Sequence, residues 1–251
     1  MVAEHTQLNP VPIANTELHE LTSSLVGQKY FIKVRIPENY HESKLTYPVL
    51  YLLDGDHAFA MATDIVQYLL YGQHVPDLII VSPAYGSKNA PEFDGTNMRA
   101  RDLVPFPTQY SDLPPQADIF LQFIEQELMP FVSTYYRVDE SNRTLAGYSA
   151  GAYFALNTLF KKPTLFHQII AIDGFDDWFL KMEEKFSEGH TQLPVKLFLA
   201  SNGGGLPDFA AKMDGRGYSD FEVEYAQLSA LGHFAVPADG LTKGLISVFR
   251  Q

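Results

Sequence analysis

Apolar and polar residues alternate along 17–23 and again along 28–36, on either side of Val26-Gly27-Gln28. A period of two marks strands with one covered face, so this region predicts a hairpin at a sheet edge, closed at its far end by Pro37. The next segment breaks the alternation. PVLYLLD, 48–54, is almost continuously apolar, the pattern of a strand covered by helices on both faces, and it stops at the turn signal Asp54-Gly55-Asp56. Phe59, Ala62, Ile65, Val66, Leu69 and Leu70 then recur at three-to-four spacing and predict a helix over 58–71. DLIIVSP, 77–83, reads as the next buried strand.

From Ala84 to Pro115 the period is lost in a stretch rich in Pro, Gly, Asp and aromatics, which reads as a loop covering a site. A helix follows over 116–136, with Ile119, Phe120, Phe123, Ile124, Leu128 and Phe131 on one face and Pro130 as a kink or a new start. RTLAG (143–147), HQIIAID (167–173), VKLFLAS (195–201) and FEVEYAQL (221–228) read as strands. Helices are predicted near 150–161, 208–213 and 238–249, with an irregular segment at 174–193. Strands alternating with helices predict an α/β fold with a mostly parallel sheet of about eight strands and helices on both faces. The whole of 1–251 reads as one domain, with 84–115 and 174–193 as lid or pocket segments.

Composition narrows the chemistry. A net charge of −12 argues against nucleic acid or an anionic membrane as partner, which leaves a small molecule. There are no cysteines, so disulfides, thiolate metal sites and cysteine nucleophiles are all excluded. Residues 1–15 lack the basic and apolar regions of a secretory leader, which predicts a cytoplasmic protein; a leader removed beforehand would instead imply the periplasm or secretion. No apolar run reaches the roughly 20 residues of a membrane span. Oligomeric state is not legible.

Gly147-Tyr148-Ser149-Ala150-Gly151 joins a predicted strand directly to a predicted helix. A serine with glycine two residues away on each side would arise by chance in about one chain of this composition in fifteen, so the motif needs its context. Strand before and helix after supply it: at such an elbow the serine takes a strained backbone conformation and small residues are needed at both glycine positions. A serine hydroxyl is a weak nucleophile and needs a base. Only His167, His190 and His233 follow it; His167 starts a buried strand and His190 lies in a polar stretch. His233, after the last strand and before the last helix, is the expected base.

The acid is less determined. It is expected after the strand 195–201, where the chain reads SNGGGLPD and offers Asp208, which could equally begin the helix at 208. Asp214, Asp173 and Asp176 are alternatives, as is a Ser-His dyad steadied by a backbone carbonyl or Asn202. The triple glycine lacks the ending of a phosphate loop. Asp54-Gly55-Asp56-His57 could look like a metal cluster, but fits a turn whose Asp56 amide and the Ala150 amide hold an oxyanion; its carboxylates could also cap the helix at 58. Arg99 and Arg101 either pin the loop through Asp102 or offer a carboxylate-binding arginine at the pocket rim.

These pieces together resemble the esterase branch of the α/β hydrolases that holds siderophore trilactone esterases, feruloyl esterases, S-formylglutathione hydrolase and mycolyl transferases. The resemblance rests on PVLYLLDGDHAF, RARDLVP, FLQFIEQELMPFVSTYYRVD, LAGYSAG and LGHFAVPADGLTKGLISVF, covers about 18–250, and is nearest to siderophore-esterase-like members. It implies the α/β-hydrolase fold, Ser149 as nucleophile, His233 as base and Asp56 and Ala150 as oxyanion amides, with no cofactor or metal. Two departures stand out: the family usually carries a carboxylate where this chain has SNGGG, and AIDGFDDWF replaces a Ser-Pro-Ser-Leu-Trp type stretch. The expectation is cleavage of carboxylic esters, siderophore or aryl, through an acyl-serine, with Asp208 completing the triad and Arg99, Tyr148 and Trp178 contacting substrate. Acyl transfer to another alcohol, or a non-catalytic binding protein on the same scaffold, are the other readings.

Overall fold

A computed structural model describes residues 12–86, 95–228 and 232–250. The expected hairpin forms from β1 (Thr16–Thr22) and β2 (Lys29–Arg35), with Thr22 opposite Lys29 and Gly27 at φ 73° in the turn. Next come β3 (Tyr47–Leu52), α1 (Phe59–Tyr71), β4 (Ile79–Ala84) and α2 (Gly95–Leu103). After α3 (Ala117–Phe123) and α4 (Met129–Tyr135) the chain enters β5 (Val138–Tyr148), α5 (Ala150–Lys161), β6 (Gln168–Ile172) and α6 (Trp178–Ser187). It ends through β7 (Lys196–Ser201), α7 (Leu206–Gly215), β8 (Glu222–Gln227) and α8 (Pro237–Phe249).

The strands make one sheet in the order β1-β2-β4-β3-β5-β6-β7-β8. β2 is antiparallel to β1 and β4, and every pair from β4 through β8 is parallel. This is the mostly parallel α/β sheet that the alternation of strands and helices predicts, in the α/β-hydrolase fold that the resemblance implies. The order reverses between β3, whose next strand lies on one side, and β5, which opens the other. Ligands of open parallel sheets bind outside the carboxyl ends of the strands at such a switch.

Because side chains alternate across a strand, each central strand feeds two cores. Leu50, Leu52, Ala146, Ile170, Ile172, Phe198 and Ala200 pack toward α1 and α8. Tyr51, Leu145, Ile169, Ala171, Leu197 and Leu199 belong to the other core, with Phe154 and Leu159 of α5 and Phe209 of α7. A fully buried Phe such as Phe154 contributes about 1.5–3 kcal/mol relative to an exposed one, so the layers are held mainly by these residues.

Three sequence expectations change. Residues 84–115 are not all loop: α2 occupies 95–103, weakly amphipathic but tied to the sheet by the Arg99–Asp54 ion pair and by the hydrogen bond from the Tyr30 hydroxyl to Asp102 at 2.6 Å. The stretch 174–193 contains α6, whose Phe179 and Phe186 are buried. The predicted helix 116–136 forms as α3 and α4 joined by a π-helical turn at Ile124–Leu128, where the Met129 N–H bonds to the Ile124 carbonyl. Pro130 in the first turn of α4 cannot donate to the Gln126 carbonyl, and the widened turn accommodates that gap.

Candidate active site

The carboxyl ends of β3, β5 and β6 converge with the segment before α8. Ser149 sits between β5 and α5 at φ 57°, ψ −116°, a conformation that non-glycine residues rarely hold. It is held there because its N–H bonds the Ile172 carbonyl at 2.8 Å, at the end of β6. A Cβ on Gly147 would lie 2.2 Å from the Gly151 carbonyl oxygen, so that glycine is obligatory. Gly151 is not, since its nearest neighbour would be the Asp54 carboxylate at 3.4 Å. The expectation that both glycines are required therefore holds for one.

His233 comes to Ser149 from the last connection: its Nε2 lies 3.0 Å from Ser149 Oγ. Its Nδ1 lies 2.6 Å from Asp173 Oδ2. Asp173, one residue past β6 at φ 50°, is nearly buried, and its other oxygen accepts the Asn202 N–H at 3.1 Å. Asp208 is not part of this line. It is exposed in the first turn of α7, one strand further along the sheet, so the carboxylate at the histidine is corrected from Asp208 to Asp173. The SNGGG turn contributes an amide to Asp173 instead of a carboxylate of its own. Asp214 and Asp176 are not hydrogen-bonded to the imidazole either; Asp176 accepts the Trp178 N–H.

The signal for Asp173 is Asp-Gly directly after a buried strand neighbouring the elbow. Gly174 is required because a Cβ there would stand 2.2 Å from the Ser149 carbonyl oxygen. The chain leaving β6 thus passes against the elbow, and that contact leaves Asp173 facing the imidazole.

Tyr148 faces the same histidine. Its hydroxyl donates to the His233 carbonyl at 2.7 Å, and its ring lies against the imidazole with centroids 4.8 Å apart. Burial, then the negative charge of Asp173, pushes the Tyr148 hydroxyl up to about 12, so it stays a donor through the neutral range.

At the end of β3, Asp54 takes φ 63° and receives two hydrogen bonds from Arg99, Nε to Oδ1 and Nη2 to Oδ2; Nη2 also reaches the Tyr148 carbonyl at 3.3 Å. The guanidinium that could have met a substrate carboxylate is thus engaged by Asp54. Asp56 accepts the Tyr85 N–H at 2.7 Å and the Gly86 N–H at 3.3 Å. Neither aspartate side chain caps α1. The Gly55 N–H bonds the Pro83 carbonyl and a Cβ there would lie 2.8 Å from it, which fixes the turn. The Asp56 amide and the Ala150 amide, at the first position of α5, have no acceptor among the described residues.

Trp178 lies away from this line. It begins α6, half-exposed, beside Phe106 at 5.7 Å, and borders a separate groove with Lys181, Lys185 and His190. Of the aromatics in the segment 84–115, Tyr85 is buried against Tyr30, Phe106 packs on Tyr153 and Tyr110 is exposed. Phe93 lies outside the described residues. His167 accepts the Arg143 N–H, and His190 stacks on Phe186. Among the described residues no three His, Asp or Glu side chains converge as a metal site, and no helix is long and apolar enough to cross a membrane.

Known proteins share this arrangement of chain. Over 178 residues it is 31% identical to the ferri-bacillibactin esterase BesA of Bacillus subtilis, covering 65% of this chain and 59% of that protein. It is also 31% identical over 171 residues to a siderophore triacetylfusarinine C esterase of Aspergillus fumigatus, covering 64% of this chain and 56% of that protein. The match thus spans less than two thirds of these relatives' length. Among solved structures, an IroE-like serine hydrolase from Shewanella oneidensis superposes with a TM-score of 0.79 at 25% identity, over 94% of this chain and 80% of the other. A BES protein from Bacillus cereus superposes with a TM-score of 0.85 at 23% identity over 99% of this chain and 100% of its own, which shows the shared fold. The family model described as "Putative esterase" matches residues 23–195, well over half the chain, and this protein belongs to that family.

Proposed function

We propose that this protein is a serine hydrolase of carboxylic esters, with Ser149 as nucleophile, His233 as general base and Asp173 as its orienting acid. The observation that carries the reading is the continuous line from Ser149 Oγ through the imidazole to the Asp173 carboxylate, at 3.0 and 2.6 Å. Asp173 accepts the Nδ1 proton, which leaves Nε2 free to take the hydroxyl proton as Oγ attacks the ester carbonyl. The carbonyl oxygen, now negative, meets the amides of Asp56 and Ala150. Collapse of the tetrahedral intermediate breaks the bond to the alcohol, which leaves with the proton from Nε2. Water, deprotonated by His233, then attacks the acyl-serine and frees the acid.

Two further residues support this arrangement indirectly. Tyr148 anchors the segment that carries His233 by bonding its carbonyl, so its role here is positioning rather than substrate contact. Arg99 holds Asp54, and with it the turn that presents the Asp56 amide. The relatives' names point to esters of the siderophore type as the substrate class, and the family resemblance adds aryl esters. The partner is a small molecule.

The test is labelling by a fluorophosphonate probe together with hydrolysis of p-nitrophenyl, feruloyl and catecholate-lactone esters by wild type and Ser149→Ala. The wild type is expected to label and to turn over at least one ester, and the variant to lose labelling and at least about 10³-fold in kcat. A variant that keeps the wild-type rate overturns the assignment.

A further inference from the structure

A cavity of about 490 Å³ opens beside Ser149 and His233 and runs into the layer between α1 and α8. That volume falls within the range of about 300–1,000 Å³ common to small-molecule sites. Leu52 and Ile172 form its floor on the sheet, Met61 stands on α1, Pro237 and Leu241 on α8, and Phe234 at the mouth.

Charge in this cavity is already neutralised. Asp54 and Arg99 both reach it, but they are paired with each other through two hydrogen bonds, and the guanidinium also bonds the Tyr148 carbonyl. The other ionisable side chains along the wall, among the described residues, are Tyr148, whose hydroxyl is engaged by the His233 carbonyl, His233 itself, and His57, exposed beside Ala58. An anionic group entering here would give up water and find, among the described residues, no unpaired lysine or arginine; a hydrocarbon group would give up nothing comparable.

Phe234 adds a second, independent observation. It is 92% exposed although it directly follows the proposed base, and its ring meets the imidazole edge-on at 5.3 Å. Single exposed apolar residues are ordinary on a surface, but this one borders an apolar cavity and would lose water as a ligand filled it.

We propose that this cavity is a specificity subsite for an uncharged hydrocarbon or aryl arm of the ester, with Phe234 as its outer wall and Met61 and Leu241 as its depth. The proposal rests on the esterase reading for its chemistry, but its test separates the two. The measurement is kcat/KM for neutral esters lengthened stepwise from methyl to phenyl, in the acyl series and in the alcohol series, against analogues of matched length ending in a carboxylate.

The expected result is a rise of about 10-fold or more with length in at least one neutral series, absent from its carboxylate counterpart. Phe234→Ala is expected to lower the ratio of long-arm to short-arm kcat/KM several-fold. Met61→Arg places a cation in the cavity and is expected to shift preference toward the carboxylate-ended ester. Length-independent rates in both neutral series, or equal rates for neutral and anionic esters, overturn the subsite while hydrolysis of the shortest ester leaves the esterase reading standing. Should no ester be turned over, the methyl resonance of Met61 in Ser149→Ala still decides the matter: benzyl alcohol is expected to shift it at concentrations where benzoate does not, and equal or absent shifts overturn the proposal.

Discussion

A carboxylate orients an imidazole only when it lies within hydrogen-bond reach of Nδ1, and here that place belongs to Asp173. Asp173→Asn would keep the shape but offer an amide that stabilises the imidazolium poorly and permits the wrong tautomer; kcat is expected to fall by about 10²–10⁴-fold. Asp208→Asn alters an exposed side chain in α7 and is expected to leave kcat/KM within about twofold. Steady-state kinetics on the two variants side by side tests the correction directly, and the reverse ranking would restore Asp208. Tyr148→Phe removes one hydrogen bond to the His233 carbonyl, worth about 0.5–1.5 kcal/mol, so kcat is expected to drop by about 2–10-fold with KM little changed. That bond is made by the protonated phenol. With the hydroxyl raised to about 12, it stays complete below the ordinary value of about 10 and is lost as pH rises through about 12. The ratio of wild-type to Tyr148→Phe rates is therefore expected to stay flat across the neutral and mildly alkaline range, and a pH-rate profile showing it collapse near 9 would contradict the assignment.

The elements that frame the site are tied together by charge as well as by apolar packing. α6 and α7 are joined by Glu183, fully buried, which accepts two hydrogen bonds from Arg216 and one from Tyr218 and lies 3.2 Å from Lys212 Nζ. Burial alone would raise the Glu183 carboxyl, but those partners outweigh it and hold the group below the usual glutamate range. A depressed pKa means that the folded state binds the proton less readily than the unfolded chain. Its stabilisation is complete above about pH 4.3 and disappears as pH falls through the folded-state value. The difference in Tm between wild type and Glu183→Gln is therefore expected to be largest at neutral pH and to shrink below pH 4, as followed by circular dichroism. A difference independent of pH would mean that Glu183 contributes through packing alone. α2 is the parallel case: its sequence carries little helical period, and it becomes a helix against Asp54, which pairs with Arg99, and Tyr30, whose hydroxyl donates to Asp102. Local pattern could not announce either contact, because both partners lie far along the chain.

Across the whole molecule, the runs of apolar residues and their periods determined eight strands, their order along the chain and a mostly parallel sheet covered on both faces, but not α2 or α6. They also determined a tight elbow at Ser149, since Gly147-Tyr148-Ser149 has to turn between a strand and a helix with no residue to spare. The position of His233 followed from chain order, as the histidine lying after the last strand and before the last helix. Periodicity speaks only of which face of an element is buried, however, and not of which strand lies beside which. The sheet order brings β6 alongside β5, and the steric demand of Ser149 on Gly174 then turns Asp173, rather than a residue after β7, toward the imidazole. The same tertiary packing committed Arg99 to Asp54 and Tyr148 to the His233 segment, and left a cavity between α1 and α8 whose Asp54 and Arg99 are paired with each other. The sequence by itself determined which groups could react and on which edge of the sheet they stand. Only the tertiary structure decided which partners they meet, because a hydrogen bond depends on a few ångströms between residues up to 85 positions apart, a distance that no local pattern encodes.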